Sequence, residues 1–213
     1  MKILLSSNSN TRKKILTNIG IKFCQEKPQV DEEKLKNKLL SRKTNPKKIC
    51  QILAKEKSLS NSNKFPQFFC IGTDSCLIFK NKFLSKPFSK KEARKILVML
   101  NGKHHTLYSS IFIAKNGKKI WSYNDEAVLK LHQFSNKDID LYIKKLNILS
   151  IKTSGLYQIE GVGISLFEKI EGNFFTILGL PVIPLLNFLR KKKINAWEKK
   201  NKKSSNSRLS NTP

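Results

Sequence analysis

Glycine is scarce in this chain, and acidic side chains are scarcer than basic ones. The nine glycines form no glycine-rich loop of the kind that wraps phosphates. No apolar run approaches the roughly 18 residues that a membrane-spanning helix requires, so no span is expected. The opening Met1-Lys2-Ile3-Leu4-Leu5 turns polar at Ser6, well short of the apolar stretch of about 7–15 residues in a secretory signal. Four cysteines, Cys24, Cys50, Cys70 and Cys76, form no CxxC pair, and no histidine stands at a zinc-finger spacing. A structural zinc or disulfide framework is therefore not expected, and free thiols fit a reducing, cytoplasmic location. No internal repeat is present.

What the chain does have is positive charge. Its 213 residues carry 42 Lys and Arg against 15 Asp and Glu, a formal net charge of +27. Such an excess attracts phosphate without regard to sequence, so nucleic acid has to be weighed as a partner. The lysines are spread along the whole chain beside abundant Asn, Ile and Ser, and no RRM, zinc-finger or helix-turn-helix signature accompanies them. The charge is equally suited to drawing in a small polyanion. Hydrophobic residues make up 39%, enough for one good core or two small lobes around a cleft.

Periodicity and punctuation predict an α/β fold. A strand over 3–5 leads through a polar loop into a helix over 12–19 that stops at Gly20, followed by a strand over 21–23. A helical stretch over 31–40 precedes a second helix that begins at Pro46 and runs to about Ser58, with a loop over 61–66. Two short apolar strands, 68–71 and 76–79, flank Gly72-Thr73-Asp74-Ser75. A helix over 89–100 ends at Asn101-Gly102. A hairpin about Asn116-Gly117 joins strands over 104–114 and 118–123, and 127–134 alternates as a further strand. Ser135 caps a helix to about Leu146. Strands are expected over 155–159, 164–170 and 176–178, and a last helix over 184–190. The segment from 191 is polar and basic and is expected to be disordered beyond about Lys199.

A few residues stand out chemically. Asp74 lies between two apolar segments, and a buried carboxylate costs several kcal/mol unless paired or metal-bound. Asp31 and Glu32 could join it in holding Mg²⁺ or Mn²⁺, or could be helix-start acids favoured by the macrodipole. The loop from Ser6 to Arg12 offers a helix start, the hydroxyls of Ser7 and Ser9 and the guanidinium of Arg12 to a phosphate; it also reads as a plain cap with a solvated arginine. Lys55 and Lys86 are further candidate cations. His104 and His105 read as strand residues.

Taken in order, these segments resemble the Maf family of nucleotide pyrophosphatases. The resemblance rests on Leu5-Ser6-Ser7-Asn8-Ser9-Asn10-Thr11-Arg12, Val30-Asp31-Glu32, Leu53-Ala54-Lys55, Ile71-Gly72-Thr73-Asp74, Lys86-Pro87, Leu100-Asn101-Gly102 and Leu178-Gly179-Leu180-Pro181. It covers 1–190 as one domain and leaves 191–213 as a basic tail. It implies a Maf/inosine-triphosphatase-like fold, a central mixed sheet with two lobes around a deep cleft. It implies hydrolysis of a nucleoside triphosphate to the monophosphate and pyrophosphate, with Asp74 as general base and a divalent metal (Mg, Mn or Co) held by Glu32 and Asp74. Ser7, Ser9, Arg12, Lys55 and Lys86 would bind the phosphates. Thr11, Ser75 and Glu160 would line the base pocket. Thr11 stands where most members carry Arg, and Glu160 resembles the branch that hydrolyses 7-methyl-GTP. A homodimer is a further expectation. The competing reading is a nucleic-acid-binding protein on an inactive scaffold of this family.

Overall fold

The computed structural model describes residues 2–147 and 156–194. Seven strands form one mixed sheet with helices on both faces, the expected α/β architecture. In chain order the elements are β1 (Lys2–Ser6), α1 (Asn10–Asn18), β2 (Cys24–Glu26), α2 (Glu32–Ser41), α3 (Pro46–Lys64), β3 (Phe68–Phe79), β4 (Lys82–Leu84), α4 (Lys90–Leu100), β5 (His104–Lys115), β6 (Lys118–Leu131) and α5 (Asn136–Lys145). A 3₁₀ turn (Val162–Leu166), β7 (Phe167–Glu171), α6 (Phe174–Ile177) and α7 (Val182–Lys191) follow. The strand order is β2-β1-β3-β5-β6-β7, with β4 pairing β3. β1 runs parallel to β2 and β3, and the remaining pairs are antiparallel.

Local chemistry explains where the helices begin. The side chains of Ser9, Asp31, Asn45, Ser89 and Ser135 each accept a backbone N–H from the first turn they precede, satisfying donors that a helix start leaves unpaired. Ser135 and Asp138 complete a reciprocal capping box. Asn116 and Gly117 both have positive φ, at 48° and 68°, as the tight β5–β6 hairpin requires.

Several boundaries differ from the sequence expectation. The apolar segments around Gly72-Thr73-Asp74-Ser75 are one continuous strand, and so are 118–123 and 127–131, because β5 pairs along the whole of both. α3 continues through 61–64, where Asn61 and Ser62 are buried rather than in a loop. The second strand lies three residues later than predicted, at Cys24–Glu26, set by its register with Leu4–Ser6. Residues 156–161 form a turn, 162–166 a 3₁₀ turn and 174–177 a helix rather than strands. The expected start of a strand at Gly155 and the expected disorder beyond Lys199 fall outside the described residues.

The strand period of two sorts β3 between the faces of the sheet. Phe69 and Ile71 enter a core built with β1, α1 and α7. Phe79 enters a second core with α4, α5 and the C-terminal half of β6. On the opposite face α3 lies close against β3: a Cβ added at Gly72 would sit 2.2 Å from the Ala54 carbonyl oxygen and 2.5 Å from the Ser58 nitrogen. Between the two cores the sheet has a gap. β1 ends opposite Gly72 and the antiparallel β4 ends opposite Leu77, so among the described residues Thr73 to Cys76 have a strand neighbour, β5, on one edge only.

Candidate active site

The gap leaves the Thr73 carbonyl without a strand partner, and two cations reach it. Lys57 Nζ donates to Thr73 O at 3.4 Å, and Arg12 Nη1 donates to the same oxygen at 3.3 Å. Lys57 comes from α3 on one face, and Arg12 from the first turn of α1 on the other.

Lys57 is 4% exposed and Asp74 9%. A buried ammonium and a buried carboxylate are each costly alone, so they are expected to pair. Lys57 Nζ donates to Asp74 Oδ1 at 2.8 Å and to Glu32 Oε2 at 2.6 Å. With Thr73 O, these acceptors use all three N–H groups of the ammonium. Glu32 opens α2 immediately after Asp31, whose carboxylate caps the helix by accepting from Lys34 N at 3.0 Å. Asp31 therefore has the structural role that the macrodipole argument offered, and Glu32 is the acid turned to the site. Among the described residues nothing donates to Asp74 Oδ2, which leaves that oxygen available to water or substrate.

Arg12 is held by four acceptors. Its Nε donates to Gly179 O at 2.9 Å, Nη2 to Ser75 Oγ at 2.8 Å, and Nη1 to Thr73 O and, at 3.4 Å, to Ser7 Oγ. Ser9 caps α1 and accepts from Arg12 N at 3.4 Å. Desolvation by burial lowers the Arg12 pKa, opposed by the charge of Asp74.

Lys86 lies in the loop after β4. One side of it is open to solvent, but the protein around its ammonium removes enough water to lower its pKa. The positive charges of Arg12 and Lys57 add to this, and the negative charges of Asp74 and Glu32 oppose it. These couplings put Lys86 in the same electrostatic neighbourhood. Three cations against two carboxylates leave the site net positive, as suits a polyanion.

The structure brings Ser7, Ser9, Arg12, Glu32, Asp74, Ser75 and Lys86 to this gap, and Thr11 is the neighbour of Arg12 on α1. Two candidates lie elsewhere. Lys55 is exposed on the outer face of α3, because the buried positions of that helix, Ile49, Cys50, Leu53, Ala54, Lys57, Ser58, Asn61 and Ser62, define a stripe that leaves it out. The lysine that α3 contributes to the site is Lys57. A signal for it was present: position 57 is four residues beyond the apolar Leu53 and seven beyond Cys50, on the inner stripe. Glu160 is exposed on the turn before the 3₁₀ segment and makes no hydrogen bond or ion pair among the described residues.

The profile of the family described as Maf-like protein matches residues 2–192. A nucleoside triphosphate pyrophosphatase of Pelagibacter ubique is 40% identical over 188 residues, 88% of this chain and 96% of that protein. One of Caulobacter vibrioides is 39% identical over 188 residues, 88% of this chain and 94% of its own. A 7-methyl-GTP pyrophosphatase of Brucella abortus is 36% identical over 193 residues, 91% of this chain and 97% of its own. The family profile runs through every segment that builds the gap, and the chain belongs to the Maf family.

Proposed function

We propose that this protein hydrolyses nucleoside triphosphates to the monophosphate and pyrophosphate. The observation that carries the reading is the Glu32–Lys57–Asp74 cluster facing Arg12 across one backbone carbonyl. It offers fixed cations for a triphosphate beside a carboxylate with one oxygen that no described residue engages. Water attacks the α-phosphorus, the bond to the bridging oxygen breaks, and pyrophosphate leaves. Asp74 Oδ2 takes the proton from the attacking water. Lys57 holds Asp74 in place and, with Lys86 and Arg12, offsets charge on the phosphates. Most of the rate gain comes from positioning and from charges already in place before the reaction.

The donor chemistry fits a divalent metal. Glu32 and Asp74 are brought together on one ammonium, at 2.6 and 2.8 Å from Lys57 Nζ, and each keeps a second oxygen that accepts no hydrogen bond from a described residue. Among the described residues no group of three or more His, Cys, Asp or Glu could hold a metal alone. Glu32 and Asp74 would therefore hold Mg²⁺, Mn²⁺ or Co²⁺ with triphosphate oxygens and water completing the shell, an arrangement typical of Mg²⁺ with nucleotides. Such a metal supplies charge neutralisation at the phosphates.

The base preference is part of the proposal. Thr11 and Ser75 adjoin Arg12, whereas Glu160 stands on an exposed turn, which supports a broad preference over a strict one. Relatives of both names cover nearly the whole chain, so 7-methyl-GTP belongs in any substrate panel. The test is pyrophosphate release from canonical and modified triphosphates with Mg²⁺, Mn²⁺ or Co²⁺. The expected result is metal-dependent turnover of several triphosphates. A folded protein that released pyrophosphate from none of them, yet shifted RNA or DNA in a gel, would replace this reading with the nucleic-acid one.

A further inference from the structure

The acceptors around Arg12 come from three separate segments, and one of them is a turn with no titratable side chain. Gly179 follows α6 with φ +88°, a left-handed backbone that glycine adopts without strain. A Cβ at this position would lie 2.6 Å from Ser75 Oγ and 3.2 Å from Arg12 Nη2. Conformation and space thus both call for glycine where the carbonyl reaches Arg12 Nε at 2.9 Å. The turn is itself anchored to the sheet. The Ser109 hydroxyl donates to Thr176 O at 2.8 Å, and the Thr176 hydroxyl donates to Asp125 Oδ2 at 2.5 Å.

A guanidinium has five N–H groups. The four hydrogen bonds to Gly179, Ser75, Thr73 and Ser7 leave one N–H, on Nη2, for a ligand. A bidentate grip on phosphate by a freely turning Arg12 would break some of these bonds. The arrangement instead fixes the plane of the guanidinium and presents its charge, with one remaining donor, from a set direction.

We propose that Gly179 and Ser75 are positioning residues that hold Arg12 as a rigid electrostatic element of the phosphate site. The inference rests on the pyrophosphatase reading. It also assigns Ser75 a role through Arg12, where the family resemblance would place it against the base.

The test is a double-mutant cycle with two readouts, kcat/KM for a nucleoside triphosphate and the Kd for inorganic triphosphate measured by calorimetry. Gly179→Ala is expected to lower kcat/KM by about 10- to 100-fold, the scale of a misplacement of about 1 Å, and to raise the Kd about tenfold. In an Arg12→Ala background the same change should cost less than about threefold, because the group being positioned is gone. Ser75→Ala gives the same cycle should Gly179→Ala fail to fold. Equal losses in both backgrounds would overturn the proposal, as would an unaltered Kd in Gly179→Ala or no triphosphate binding by the wild-type protein. A wild-type protein that binds triphosphate without turning over any nucleotide would refute the pyrophosphatase reading, and the binding cycle would still decide the role of Gly179.

Discussion

Gly72→Ala is the smallest change that separates the halves of this site. The new Cβ would meet the Ala54 carbonyl oxygen at 2.2 Å, the Ser58 nitrogen at 2.5 Å and the Ser58 Cβ at 2.8 Å. Two of these contacts are backbone, so no rotamer change relieves them, and α3 and β3 must part by about 1 Å in a close-packed interior. Lys57 lies between Ala54 and Ser58 in sequence and must move with them, stretching a 2.8 Å contact to Asp74. Overpacking costs typically about 1–3 kcal/mol, and the rigidity of both partners places this case at the upper end, about 3 kcal/mol. For a domain of this size that corresponds to about 6–12 °C in Tm. At 25 °C the variant should remain folded yet lose about 100-fold in kcat/KM, since about 1 Å at a catalytic group has that effect. Thermal melts and pyrophosphate release, run on the same preparation, check both numbers. A variant that keeps wild-type turnover and melts within 2 °C of the parent would refute the claim that the close approach of α3 sets the Lys57–Asp74 geometry.

Three further outcomes follow from the geometry. Lys57→Met should lower kcat/KM at least about 100-fold and destabilise the fold by about 3–5 kcal/mol, because the buried Asp74 loses its partner, while Lys55→Met should leave turnover within about twofold; parallel kinetics and urea melts distinguish them. Asp74→Asn should fold and lose at least about 100-fold in kcat, the low end for general-base catalysis, and near-normal turnover would remove Asp74 from that role. His105 is buried against Tyr157, with its pKa lowered from 6.5 to about 4, chiefly by desolvation. Folding therefore favours the neutral ring: its contribution is complete above about pH 6.5 and is lost as pH falls towards 4. That single group should cost about 2 kcal/mol of stability between pH 7 and pH 5, and His105→Gln should abolish that part of the pH dependence in urea melts.

Much of the framework was legible in the sequence. Caps such as Ser89 and Ser135, the Asn116-Gly117 hairpin and the stop at Gly20 are local chemistry, decided within a few residues of where they act. Family-like motifs in order brought Arg12, Glu32, Asp74 and Lys86 forward as one set, and the structure gathers them around one gap in the sheet. Asp74 stood out because its flanks are apolar, a property that needs no neighbours to be recognised.

Tertiary structure alone decided the rest. Gly72-Thr73-Asp74-Ser75 reads locally as a break between strands; long-range pairing with β5 carries β3 straight through it. The interruption is instead in the neighbours, β1 and β4, and it frees the Thr73 carbonyl for Lys57 and Arg12. That Lys57 and not Lys55 reaches Asp74 depends on which face of α3 meets the sheet. The turn at Gly179 lies 167 residues from Arg12 in sequence, and no local pattern connects them. Caps and tight turns are governed by near neighbours in the chain. The placement of Arg12 and Lys57 depends on which backbone edge is left unpaired when distant strands assemble, and only the folded sheet determines that.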